Sequence, residues 1–232
     1  MNLLCMLQLQ QRWVFMINIL EKNKLFKGLT SNEIDHILSC HEPMVKTFEA
    51  HEHVFMKGEE LEHFGVVLSG RLHLLKDDFY GNESIVQKVY PSDSFGEAIA
   101  LIEKEPTPVR VLAAVKSTVV FFNMRRFITQ CERACDHHRR LKENLLQQFA
   151  VKLLSLHEKI ELLSKKTIRD KLLDYFNRQR ERQHSKTIEL PFSRQELADY
   201  LNADRSAMVR EMKKMREDGI IRVRGNTIDI LK

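Results

Sequence analysis

Apolar residues recur along this chain with two different periods, and the change from one to the other divides it. Between Met44 and Asn123 they come in short runs broken by turn residues. Phe64–Leu68, Leu72–Leu75, Ile85–Val89, Val109–Val115 and Val119–Phe122 are predicted strands. Gly58, Gly70, Gly81 and Gly96 punctuate them, with Gly70 at hairpin spacing in VVLSGRLHLL. Many short strands at this spacing predict a sandwich or jelly-roll barrel. Ahead of them, Thr30-Ser31-Asn32-Glu33 has the form of a capping box, and Ile34, Ile37 and Leu38 make a helical stripe.

After the strands the period becomes helical. Residues 128–163 predict one long helix. Leu146, Leu153 and Ile160 repeat every seven residues, and so do Phe149, Leu156 and Leu163. A solitary surface helix could carry a similar stripe, but a strict seven-residue seam favours pairing with a second copy. These six residues are the expected dimer interface. Lys165-Lys166-Thr167 reads as a hinge, and Ile168, Leu172, Leu173 and Phe176 as the stripe of a further helix. The polar run from Arg178 to Lys186 is expected to be a loop, and Ile188–Leu190 a short strand.

The segment from Ser193 to Gly219 predicts two helices joined by a tight turn. Ser193 and Glu196 form a capping box, and Leu197, Ala198 and Leu201 give the first helix an apolar face. Asn202 and Ala203 make the turn, and Asp204 is placed to cap the second helix. Met208, Met212 and Met215 share one face of that helix, while Arg205, Arg210, Lys213, Lys214 and Arg216 fall elsewhere. A methionine stripe serves any core, and a basic face is often only solvated. The residues after Gly219 favour a stronger reading: Ile220-Ile221, the turn Arg224-Gly225-Asn226 and Thr227–Leu231 predict a hairpin. Helix, turn, basic helix and hairpin make a winged helix-turn-helix, a form suited to the major groove of DNA.

Charge supports that division. Residues 164–232 hold 17 Lys/Arg against 11 Asp/Glu, a net of +6, within a whole-chain net of +5. The excess positive charge therefore lies where a polyanion would bind. With 232 residues the chain can build two cores. Cys5, Cys40, Cys131 and Cys135 are too sparse for a disulfide scaffold and suit a reduced, cytoplasmic setting. The first twenty residues lack a cleavage site and are too polar for a membrane span. Met16 is read as a natural start, with an amphipathic helix packed on the next domain as the alternative. No nucleophile–base pair or phosphate-cradling glycine loop is present, so an enzyme is not expected. Cys131 and Cys135 stand one helical turn apart, just before His137 and His138. They are candidates for a metal or redox pair, against the reading that they are inert thiols. His36, His41, His51, His53 and His63 show no ligand spacing.

These segments resemble the Crp–Fnr family of regulators. Ser193-Arg194-Gln195-Glu196, followed by Arg205 and Arg210, matches the family's recognition segment. Ser206 stands where the family's cyclic-AMP receptor has a glutamate. The resemblance implies base contacts from Arg205, Ser206 and Arg210. Candidate phosphate contacts are Arg169, Ser193, Arg194, Lys213, Lys214, Arg222 and Arg224. Gly58-Glu59, Ser69-Gly70 and Phe95-Gly96-Glu97 match landmarks of the cyclic-nucleotide-binding roll. The candidate effector pocket is Gly96, Glu97 and Arg110. Pro108 and Val109 stand where an Arg-Ser pair would hold a cyclic phosphate, so cyclic AMP is not the expected ligand. The N-terminal cysteine cluster of iron–sulfur relatives is absent, and nothing singles out a haem ligand.

The resulting expectation is an α+β chain: residues 1–20 an extension, 21–127 a jelly-roll (double-stranded β-helix) effector domain, 128–163 a dimerisation helix, and 164–232 a winged helix-turn-helix domain. The function expected is that of a bacterial homodimeric transcription regulator. Its implied partners are double-stranded DNA with an inverted repeat, RNA polymerase and an unidentified small-molecule or redox effector. The alternative is a redox- or metal-responsive sensor built on Cys131 and Cys135 with DNA binding as its output.

Overall fold

The computed structural model describes residues 3–78, 80–129 and 135–231, with side chains from residue 11 onward. The chain divides into two compact units, Met1–Phe149 and Ala150–Lys232. Among the described residues no helix is long and apolar enough to cross a membrane.

The first unit opens with α1 (Leu3–Leu20), a 3-10 turn (Lys24–Phe26) and α2 (Ser31–His41). Then come β1 (Met44–Phe48), β2 (His53–Phe55), β3 (His63–Ser69), β4 (Leu72–Asp77), β5 (Glu83–Val89) and β6 (Ser94–Phe95). A short helix α3 (Glu97–Leu101) precedes β7 (Arg110–Ala113), β8 (Ser117–Asn123) and α4 (Met124–Ile128). The long helix α5 (Asp136–Leu163) follows. Two four-stranded antiparallel sheets, ordered β1-β8-β3-β6 and β2-β7-β4-β5, face each other as a roll.

Strands β3 and β8 explain why their sequences are apolar at nearly every position. Successive side chains of a strand point to opposite faces. Val67, Val119 and Phe121 enter the core between the sheets. Phe64, Val66, Leu68, Val120 and Phe122 enter a second core beneath α1, α2, α4 and α5. Both faces are covered, so the alternation disappears. Helix α1 contributes Met16, Ile17 and Leu20 to that second core, and it runs without a break through Met16. Thr30 and Glu33 form the capping box expected at the start of α2.

Two expectations about this unit need correction, and three strands go beyond them. Gly70 does not turn a hairpin, because β3 and β4 lie in different sheets. It is a corner at φ 88°, and a Cβ there would stand 2.5 Å from the carbonyl oxygen of Lys116. Residues 128–163 are not a single helix: α4 ends at Ile128, with Thr129 in an extended conformation, and α5 begins at Asp136. Cys135 therefore precedes the helix, while Cys131 lies outside the described residues. Strands β1, β2 and β6 were not predicted. β1 exposes Met44 and Val45 and buries only Phe48, so no alternation marks it; pairing with β8 makes it a strand.

The second unit contains the end of α5, α6 (Ile168–Gln183), β9 (Thr187–Glu189), α7 (Arg194–Tyr200), α8 (Arg205–Glu217), β10 (Ile221–Arg224) and β11 (Thr227–Ile230). Its three strands are ordered β10-β11-β9. The polar run from Arg178 is not a loop; most of it continues α6. Arg178 bridges Asp174 at 2.7 Å and Glu161 at 2.9 Å, and Arg182 pairs with Glu158. Glu158 and Glu161 belong to α5, so this polar face of α6 is matched by acids rather than by a core. A hydrophobic pattern could not show that.

Candidate nucleic-acid interface and effector region

Helices α7 and α8 are fixed by the caps that the sequence offers. The Ser193 hydroxyl accepts the Glu196 N–H, and the Glu196 carboxylate accepts the Ser193 N–H at 2.8 Å. Asn202 takes φ 47°, a left-handed conformation that asparagine tolerates better than most residues. Asp204 accepts the Ala207 N–H at 2.8 Å and starts α8. Leu197, Ala198 and Leu201 on one side meet Met208, Met212 and Met215 on the other, all buried. Lys171 donates to the Leu201 carbonyl at 3.0 Å, and Lys159 donates to the Tyr200 carbonyl, so the free carbonyls ending α7 are satisfied.

At about 100° per residue, the methionine stripe leaves an open arc carrying Arg205, Ser206, Val209, Arg210 and Lys213. All five are exposed. Among the described residues no hydrogen bond or ion pair engages the side chains of Arg205 and Arg210. Val209, 42% exposed, was not singled out from sequence. Its signal was there: a valine between two arginines, off the methionine stripe.

The basic residues around this arc divide into two groups. Lys214 and Arg222 are exposed; Lys213 has only a loose 3.8 Å contact with Glu217, and Arg224 pairs with Asp229 at 2.9 Å. Arg169 is different: its guanidinium meets Glu211 at 2.5 Å and Asp218 at 2.7 Å, tying α6 to α8. At this half-exposed position its charge is matched by two carboxylates, which counts against its expected place among the phosphate contacts. Arg194 is also committed. It donates to the Gly225 carbonyl at 2.5 Å, its other terminal nitrogen is buried, and burial lowers its pKa. It pins the β10–β11 turn rather than standing open to a phosphate. That turn has two residues, with Gly225 at φ 57° in the first position, as a tight hairpin requires. The Ser193 hydroxyl is occupied as a cap.

In the first unit, the roll interior holds Phe55, Phe95 and Phe121, with ring centroids 5.7 to 6.4 Å apart. Gly65 is a glycine because a Cβ there would meet the Phe95 ring at 2.5 Å. Gly96 takes φ 83° at the start of α3, and the buried Glu97 accepts a hydrogen bond from Ser94. Arg110 does not join them. Its neighbours Val111 and Ala113 fill the core, so Arg110 lies on the other face of β7. There it pairs with Asp77 at 3.4 Å and with Glu83. Its expected place in the pocket is corrected accordingly. Pro108 has no N–H to offer, and the Val109 N–H is turned to the Thr107 hydroxyl at 3.4 Å.

On α5, Leu146, Leu153, Leu156 and Ile160 are each more than 60% exposed. Leu163 is exposed to a lesser degree, and Phe149 packs partly against the core of the first unit.

Comparison with known proteins agrees with this arrangement. Residues 45–134 match the family model of the cyclic nucleotide-binding domain, and residues 168–232 that of the Crp-like helix-turn-helix domain. The chain belongs to the Crp–Fnr family. Among curated relatives of this Crp–Fnr chain, the transcriptional activator protein FnrL of Cereibacter sphaeroides is 24% identical over 78% of this chain and 73% of its own. The cAMP-activated global transcriptional regulator Vfr of Pseudomonas aeruginosa is 24% identical over 84% and 92%. The catabolite activator protein of Thermus thermophilus shares the fold, with a TM-score of 0.54 at 20% identity over 90% of this chain and 93% of that one. This Crp–Fnr chain is thus a DNA-binding transcription regulator with a cyclic-nucleotide-binding-type domain, and not an enzyme.

Proposed function

We propose that two copies of this regulator pair along α5 and bind an inverted-repeat operator, under an effector other than cyclic AMP. The observation that carries the DNA reading is the open arc of α8. Arg205 and Arg210 are exposed and, among the described residues, unengaged above a buried methionine stripe. An arginine can grip guanine through two hydrogen bonds, and Val209 can meet a thymine methyl. Lys213, Lys214 and Arg222 supply phosphate contacts that set register. Pairing is supported by the row of exposed leucines and Ile160, since a soluble monomer rarely shows so continuous an apolar face. A two-fold then sets half-sites about 34 Å apart. RNA polymerase is the partner that a bound regulator of this kind would meet.

The effector reading rests on the roll. Its interior is filled by rings, and neither Pro108, Val109 nor Arg110 presents a donor to a cyclic phosphate. Calorimetry should find no cyclic AMP binding with a Kd below about 10 μM, equivalent to roughly −7 kcal/mol.

Selection of bound duplexes from a random library tests the DNA reading. The expected product is an inverted repeat, recovered without cyclic AMP. Enrichment of a single unrepeated half-site would end the dimer reading. An unchanged preference in Arg205→Ala would end the assignment of the reading face.

A further inference from the structure

Where α2 meets the start of α5, side chains far apart in sequence converge. The rings of His36 and His137 meet edge to face, with centroids 5.0 Å apart. Cys135 immediately precedes α5, and its carbonyl accepts the His138 N–H at 3.1 Å. One ligand atom each from His36, Cys135 and His137 lies within 4.8 Å of the other two, and all three residues are half-buried. Among the described residues this is the one such group of three.

Two features point to a ligand. His137 Nε2 is buried without a hydrogen-bond partner among the described residues, although an imidazole nitrogen taken from water needs one. His36 Nδ1 faces the Cys40 sulfur, one turn further along α2, at 3.8 Å. A histidine held through one ring nitrogen is oriented to ligate through the other. Nearby charge is close to balanced, with Glu33 and Asp136 beside Arg140, and Glu33 pairs with Arg140 at 3.2 Å.

We propose that His36, Cys135 and His137 form a binding site for a borderline-soft divalent cation of the zinc type. The donor set decides the class. Two imidazoles and a thiolate suit zinc and its neighbours, whereas magnesium and calcium require oxygen. A tetrahedral zinc with bonds of about 2.0–2.3 Å places its ligands roughly 3.3–3.8 Å apart. Half-buried side chains can supply that contraction by small rotations. Three protein ligands leave the fourth position to water or a further donor. A bound ion would join α2 to the first turn of α5. His36 escapes a sequence search because it lies on a different helix, far from the Cys135-x-His137 pair.

The test uses full-length protein without a histidine tag, stripped with chelator under reductant and titrated with cobalt(II), then with zinc in competition. One ion per chain is expected, with a thiolate-to-cobalt charge-transfer band and a raised thermal midpoint. Cys135→Ser should abolish the band. His36→Gln and His137→Gln should weaken binding by more than the ~10–100-fold that loss of an outer partner costs. No retained ion, or uptake unchanged in these variants, overturns the site. Should a variant fail to fold, X-ray absorption of the zinc-loaded parent protein decides the matter. One sulfur and two ring nitrogens support the site, and an all-oxygen shell refutes it.

Discussion

Both units carry family landmarks, and they put them to different use. In the helix-turn-helix, the Ser193–Glu196 capping box, the Asp204 cap, the Asn202 turn and the methionine stripe are matched by side chains that stand exposed on α8 and, among the described residues, unengaged. In the roll, Gly96 and Glu97 keep their places, but rings fill the interior and Arg110 is turned outward to Asp77 and Glu83. A landmark glycine or cap preserves a backbone path. Whether a ligand is held depends on a few donors that the backbone does not dictate. The fold is therefore shared more widely than the site.

The comparison can be broken most forcefully at the methionine stripe. Met208→Asp places a carboxylate at a fully buried position, and it should unfold the second unit with a loss of several kcal/mol. The roll should keep its own melting transition, followed by the fluorescence of Trp13, the sole tryptophan. Acid should act on the other unit. Desolvation, with help from His138 and Arg126, lowers the buried His41 from 6.5 to about 4. The unfolded chain then binds the proton more readily. Stability from this group is complete above pH 6.5 and falls away as pH drops from 6.5 toward 4. The cumulative loss is up to about 3 kcal/mol. A Trp13-monitored unfolding series across that window checks it; flat stability would show His41 to be charged in the fold.

Smaller effects sharpen the reading face. Arg210→Ala should cost about 1–3 kcal/mol against the preferred half-site and little against unrelated DNA. Competition binding with both duplexes measures the difference. Lys213→Ala should weaken every duplex alike and reduce the salt slope by about 1. A change confined to one sequence would move Lys213 from the phosphates to the bases.

Much of the second unit was legible because its signals are local. Ser193 finds Glu196 three residues on, Asp204 finds Ala207, and Met208, Met212 and Met215 share one face of a single helix. The roll was legible as strands but less so as connections. Gly70 looks the same in sequence whether it turns a hairpin or a corner between sheets. Arg169 and Arg194 misled for a related reason. A basic residue near a recognition helix reads as a phosphate contact until Glu211, Asp218 or the Gly225 carbonyl is seen to hold it. The polar face of α6 reads as a loop in sequence because its partners lie on α5. Distant partners leave no mark in a local pattern.

The bond from Arg194 to the Gly225 carbonyl has a kinetic meaning. It fastens the hairpin to the start of α7 before any duplex arrives, so contacts from α8 and from the hairpin are presented together. Little ordering is left for the moment of encounter. Duplexes of different sequence should then be captured at similar rates and released at different ones. For this regulator, recognition would be measured by how long a complex lasts.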